Sequence, residues 1–301
     1  MNSDPAVNRG KYSVFVKPLL GLCLLGVVIT WIAKEGELID KLSLGMILAS
    51  TIASFTINLA NASVILTIVR AFRGKINYAS ALHISALGAF GNAAGGLPIG
   101  TTIKYVILYK QSGLKIREIT SGLILFSIAI SIYLLCYAAI SIWQMLFPIY
   151  IKIIPSILLL TTVILIWLSG RWASKQNSTM TLIQPLLSTG NLRQIVLISF
   201  FMATLFLANY LIISVFLFPA TPLISMVFIT STGMLAGLGS LLQSVGGIQE
   251  FSMGVASHVS GGSLVNGMQL ALVMRVTSLI SSGITLLILY FSPSKLRPSQ
   301  Q

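Results

Sequence analysis

His83–Lys110 reads HISALGAFGNAAGGLPIGTTIKYVILYK. The stretch is apolar enough to lie in a membrane, yet Gly88, Gly91, Gly95, Gly96 and Gly100 crowd around Asn92 and Pro98. Glycine and proline are the residues least suited to a helix interior, so this density predicts two half-helices. Broken backbone at membrane depth persists only where protein or a water-filled cavity satisfies its N–H and C=O groups. The flanks say where the segment begins and ends. Arg70, Arg73 and Lys75 precede it, and Lys110, Lys115 and Arg117 follow it. Basic residues gather on the cytoplasmic side because they resist translocation and face anionic headgroups. Both clusters then lie on one side, so the segment between them enters and returns. The expectation is a re-entrant helical hairpin: His83–Phe90 descending, a glycine-rich tip, and Ile99–Tyr109 returning.

The remainder of the chain places this hairpin in a polytopic membrane protein. Of 301 residues, 55% are hydrophobic and only 8% are charged, with a mean hydropathy of +0.93. A soluble chain carries about a quarter charged residues. Spans are expected near Phe15–Ala33, Leu42–Val69, Ile119–Phe147, Ile153–Leu168, Ile195–Phe218, Leu223–Leu242 and Leu264–Phe291. Several exceed the roughly 20 apolar residues that cross a hydrocarbon core. The fold class expected is all-α and integral to the membrane, with about 7–8 transmembrane helices. It forms a single transmembrane domain over residues 1–301, with halves dividing near residue 147.

Loop charges orient it. Arg9, Lys11 and Lys17 keep the N-terminus cytoplasmic, and KEGELIDK (Lys34–Lys41) reads as external. No cleavage site follows the first apolar run, which is expected to remain as an anchor. The net charge of +13 belongs to these loops and does not suggest nucleic acid. Cys23 and Cys136 lie far apart inside apolar spans and read as packing residues.

The second half repeats the theme. After Leu223–Leu242 comes QSVGGIQEFSMGVASHVSGGS (Gln243–Ser263), again rich in glycine and followed by a long apolar span. Two interrupted segments in corresponding places point to an internal repeat, inverted across the membrane, with a site between its halves. The side of the C-terminus stays open. If Gly246–Gly262 turns back, the spans above leave it outside, whereas Lys295 and Arg297 favour the inside.

Charges in the apolar segments mark the candidate site. Between Gln194 and Ser294 the only formal charges are Glu250 and Arg275. An ionised side chain near the bilayer centre costs at least about 2.5–3.5 kcal/mol on insertion scales. Two of opposite sign suggest either a pair tying helices together or a shared polar cavity. Lys104, one turn past Gly100, either snorkels to the interface or joins a helix start in holding an anion such as a lipid phosphate. His83 and His258 are isolated and read as structural. With six acidic residues, two histidines and no nucleophile elbow, zinc-binding pair or phosphate loop, catalysis lacks raw material. A non-enzymatic protein without metal or cofactor is expected.

The two glycine-rich segments resemble those of the flippase-like UPF0104 family, which includes the transmembrane region of lysylphosphatidylglycerol synthase. Asn92, Pro98, Gly100 and Lys104 match its early segment, with lysine where arginine is usual. Gly246, Gly247 and Glu250, then Arg275 in the following span, match its later one, in a shorter form lacking the usual proline. With the sequence ending at Gln301, no aminoacyl-transfer domain is expected. The resemblance implies lipid movement across the cytoplasmic membrane, with these eight residues contacting an anionic phospholipid or polyprenyl-linked lipid. A membrane enzyme or a second copy of the chain is the other partner to consider. The competing expectation is an accessory subunit that scaffolds a glycan or lipid biosynthetic enzyme.

Overall fold

The computed structural model describes residues 42–95, 99–145, 184–239 and 247–291. The expected spans Phe15–Ala33 and Ile153–Leu168, and the site candidates Pro98 and Gly246, lie outside the described residues. Among those described, 88% are helical and none forms a strand.

Among the described residues, eight helices of three turns or more follow in order: α1 (Leu44–Ala71), α2 (Tyr78–Gly95), α3 (Ile99–Ser112), α4 (Ile116–Gln144), α5 (Thr189–Leu217), α6 (Leu223–Gly239), α7 (Ile248–Val259) and α8 (Leu264–Phe291). Four of them, α1, α4, α5 and α8, are long and apolar enough to cross a membrane. The chain is a multi-pass membrane protein. At 1.5 Å per residue these four measure about 42–44 Å, against about 30 Å of hydrocarbon. The other four are shorter. Helices α3 and α7 reach only about 21 and 18 Å.

Local chemistry sets several boundaries. Ser43 Oγ accepts from the Met46 amide and opens α1. Glu118 Oε2 accepts from the Lys115 amide and opens α4. Helix α2 continues through Gly91 to Gly95, past the expected end at Phe90. Glycine there does not break the helix, because α3 packs along α2 and close packing replaces what the propensity loses. A Cβ on Gly100 would collide with the Gly88 carbonyl and the Asn92 backbone. Contact this close excludes every other residue at Gly100. The Gly246–Gly262 segment also contains a regular helix, α7.

Side-chain contacts give the directions. Asn92 meets Thr101 while Gly88 meets Lys104, so α2 and α3 are antiparallel. Gly233 faces Met253 and Gly237 faces Gln249, so α6 and α7 are antiparallel as well. Helix α7 also opposes α8, with Gly254 against Met268 and Glu250 against Arg275. Contacts Ser50–Thr277 and Asn58–Ser282 make α1 and α8 parallel. Tyr133–Val196 and Tyr137–Thr204 make α4 and α5 parallel. Gly122 near the start of α4 packs on Ile68 near the end of α1, so those two are opposed.

Two groups of four thus share one plan: a long helix, two shorter antiparallel ones, and a second long helix. The lengths are 28, 18, 14 and 29 residues in the first group. In the second they are 29, 17, 12 and 28. Each element of the second runs opposite to its counterpart in the first. Exchanging the groups element for element carries each contacting helix pair onto another contacting pair or onto itself, although α7 lies far closer to α8 than α3 does to α4. The main core gathers α1, α4, α5 and α6 around Met46, Leu134, Ile213 and Met234 and extends to Met253 of α7 and Leu270 and Met274 of α8, and a smaller cluster joins α1 to α2 and α3. Leu48, Leu197, Phe201 and Leu287 point outward from the long helices. In hydrocarbon such residues need no partner.

Candidate functional site: two charged hairpins on one polar seam

Glu250 sits in the first turn of α7, behind Gly247, whose φ of +97° is a left-handed conformation suited to glycine. Its Oε2 accepts from the Gly247 amide at 2.9 Å, closing the helix start. Its Oε1 lies 2.5 Å from Arg275 Nη2 on α8. Both carboxylate oxygens are therefore engaged, and the side chain is 1% exposed. Arg275 is 18% exposed, and its Nη1 is buried without a hydrogen-bond partner among the described residues. The pair ties α7 to α8 and leaves one guanidinium nitrogen uncommitted. Beside it, Gln249 Nε2 donates to Tyr210 Oη on α5 at 2.6 Å. Tyr210 lies within electrostatic reach of both charges.

Lys104 is answered differently. On α3 it lies against Gly88 of α2, and its Nζ donates to Asn61 Oδ1 of α1 at 3.2 Å. A neutral amide oxygen satisfies one of three ammonium donors and none of the charge. Asn92, at the exposed end of α2, accepts from the Thr101 amide at 3.1 Å, which fixes the mouth of this hairpin.

A line of polar groups on α1 connects the two hairpins. Ser50, Ser54 and Asn58 are buried on one face, with Asn61 the next polar residue along the helix. Ser50 Oγ lies 2.7 Å from Asn209 Oδ1 and 2.9 Å from Thr277 Oγ1. Asn209 Nδ2 donates to Ser54 Oγ at 2.9 Å. Asn58 Nδ2 donates to Ser282 Oγ at 3.3 Å, and Ser85 Oγ donates to the Asn58 carbonyl at 3.1 Å. Asn209 and Tyr210 are neighbours on α5, so the seam touches the Glu250 cluster at one end and Lys104 at the other. Between Ser50 and Asn61 helix α1 rises about 16 Å.

The sequence-predicted residues are thus distributed over two clusters. Gly247, Glu250 and Arg275 come together, and so do Asn92, Gly100 and Lys104. Neither of the two described cavities is lined by any of them. Asn61, Tyr210, Gln249 and the seam itself escaped the sequence reading. Their signal was available as Ser50, Ser54, Asn58 and Asn61, polar residues at helical spacing inside an apolar span. Among the described residues no group of three potential metal ligands occurs. No family model, curated protein or solved structure matches this chain.

Proposed function

We propose that this protein moves the headgroup of an anionic lipid, a phospholipid or a polyprenyl-linked lipid, between the leaflets of the cytoplasmic membrane. The observation that carries the proposal is Lys104: an ammonium on a short helix, held among the described residues only by a neutral amide. A cation so placed is expensive in hydrocarbon, and a passing phosphate supplies the missing charge. Arg275 Nη1 offers a second donor. The seam of hydroxyls and amides between them replaces the water that a headgroup loses on leaving the interface.

In this reading α1–α4 and α5–α8 are an inverted repeat about the bilayer plane. Helices α2 and α3 enter from the cytoplasmic side and α6 and α7 from the other, while α8 crosses inward and leaves the C-terminus cytoplasmic with Lys295 and Arg297. Such repeats place substrate sites near midplane, beside their interrupted helices. Resemblance of both hairpins to the flippase-like family supports the same reading. Glu250 holds the α7 start and Arg275, so its role is positioning. Without a phosphate-binding loop in the chain, movement is downhill or driven by a partner.

Reconstitution in vesicles containing a fluorescent anionic phospholipid tests this, with leaflet exchange read by a membrane-impermeant quencher. Exchange is expected well above the protein-free rate and to fall to that rate in Lys104→Met. A wild-type protein that exchanges lipid no faster than empty vesicles ends the proposal. Co-purification of a stoichiometric biosynthetic enzyme in that case favours the scaffolding role.

A further inference from the structure

The antiparallel pair α6 and α7 encloses a lateral groove of about 300 Å³. Its walls repeat every four residues: Phe228, Thr232 and Ala236 on α6, and Phe251, Val255 and Val259 on α7. Gly233 lets Met253 lie directly on α6, which draws the helices together behind the groove. Exposed Phe251 then stands as a rim at one end, and buried Phe228 closes the other, with short Thr232 and Ala236 between them. Phe251 is 54% exposed, so the rim faces away from the bundle.

We infer that this groove seats one alkyl chain of a membrane lipid. Three observations select that occupant. The walls are almost wholly apolar, so nothing there recognises a headgroup or a soluble ligand. At about 300 Å³ the space is far too small for a helix, which is about 10–12 Å across with its side chains. One end also adjoins the charged cluster, since Phe251 follows Glu250 directly and Ala236 precedes Gly237, which faces Gln249. An amphiphile fits this juxtaposition, with its tail along α6 and α7 and its polar end beside Arg275. The inference deepens the proposed function by adding a tail subsite, and it rests on that reading only for the purpose of the site.

The test uses the full chain in vesicles doped with a phospholipid carrying a photoactivatable diazirine on its acyl chain. Labelled positions are mapped by mass spectrometry and leaflet exchange is measured in parallel. Groove residues are expected to carry several-fold more label than Leu197 and Leu287, exposed apolar residues on α5 and α8. Ala236→Phe fills the hollow and is expected to abolish that excess without changing label at the control positions. Uniform labelling over all exposed apolar residues in the wild type overturns the inference, and this readout needs no variant to fold. Selective cross-linking of Val255→Cys between two copies also overturns it, because a second chain then occupies the groove. Selective labelling without exchange keeps the tail site and removes the transport reading. Exchange with uniform labelling does the reverse.

Discussion

The two interrupted hairpins occupy equivalent places and treat charge in opposite ways. In α6 and α7 the carboxylate of Glu250 is closed on both sides, by the Gly247 amide and by Arg275. The cluster is electrically neutral, and only Arg275 Nη1 is left uncommitted among the described residues. In α2 and α3 the ammonium of Lys104 has, among the described residues, a neutral amide alone. Among the described residues, one hairpin pairs its charge within the chain and the other is left one anion short. Under the proposed function, Glu250 serves stability, while Lys104, with Arg275 Nη1 as a second donor, serves ligand recognition. The predictions below separate these roles.

The largest effect is expected from unpairing. Glu250→Ala strands the Arg275 guanidinium, opens the start of α7 and frees the Gly247 amide. Breaking a buried pair from one side costs about 3–5 kcal/mol. Thermal denaturation in detergent should show a collapse of folded protein. Glu250→Gln with Arg275→Met removes both charges, and most of the stability should return. A double variant as unstable as Glu250→Ala would show that the pair does more than neutralise itself.

Steric closure comes next. Gly100→Ala drives a methyl group into the Gly88 carbonyl and the Asn92 backbone, which cannot move without parting α2 from α3. Overpacking of this kind costs roughly 1–3 kcal/mol. Gly283→Ala is the control, because a Cβ there meets nothing within 4 Å. In the middle of α8 that change should be neutral or stabilising by up to about 1 kcal/mol. Equal losses in both would mean that glycine is needed for something other than close approach.

Lys104→Met sharpens the contrast most directly. Removing a charge that has no counter-ion among the described residues should leave the melting temperature unchanged or raised. Loss of a charge-assisted contact worth about 1.5–3 kcal/mol should weaken anionic lipid by roughly 10–100-fold. Binding of a fluorescent anionic lipid to the detergent-solubilised protein reads this. Parallel loss of stability and binding would make Lys104 a structural residue like Glu250.

Much of this contrast was legible in the residues. Long apolar runs gave α1, α4, α5 and α8 within a few positions, because a single solvent sets their composition. The isolation of Glu250 and Arg275 in an uncharged stretch identified them as an ion pair or members of one cavity, and they meet. Two things were hidden. Helix α2 runs through its glycines because α3 packs along them, and that is a tertiary fact which local propensity cannot carry. The direction of α7 was undecidable from charge, since a 12-residue helix of about 18 Å neither spans nor visibly turns. Its antiparallel packing on both α6 and α8 shows that the chain turns back there, which charge alone did not reveal.

The smallest effect tests whether the seam is glue or path. Ser282→Ala removes the acceptor of the 3.3 Å bond from Asn58 while keeping the shape of α8. Interhelical hydrogen bonds in membranes average about 0.6 kcal/mol, so the melting temperature should barely move. If the seam only ties α1 to α8, leaflet exchange should be equally unaffected. If headgroups travel along it, Asn58 is one of the groups that stands in for water, and unpairing it changes how it meets the passing phosphate. Exchange should then change several-fold although stability does not. Moving exchange without moving stability is an outcome that Glu250→Ala cannot produce, since that change disturbs the helix start first. An unchanged rate in both Ser282→Ala and Asn58→Ala would confine the seam to holding α1, α5 and α8 together, and leave Lys104 to act from the α2 and α3 hairpin alone.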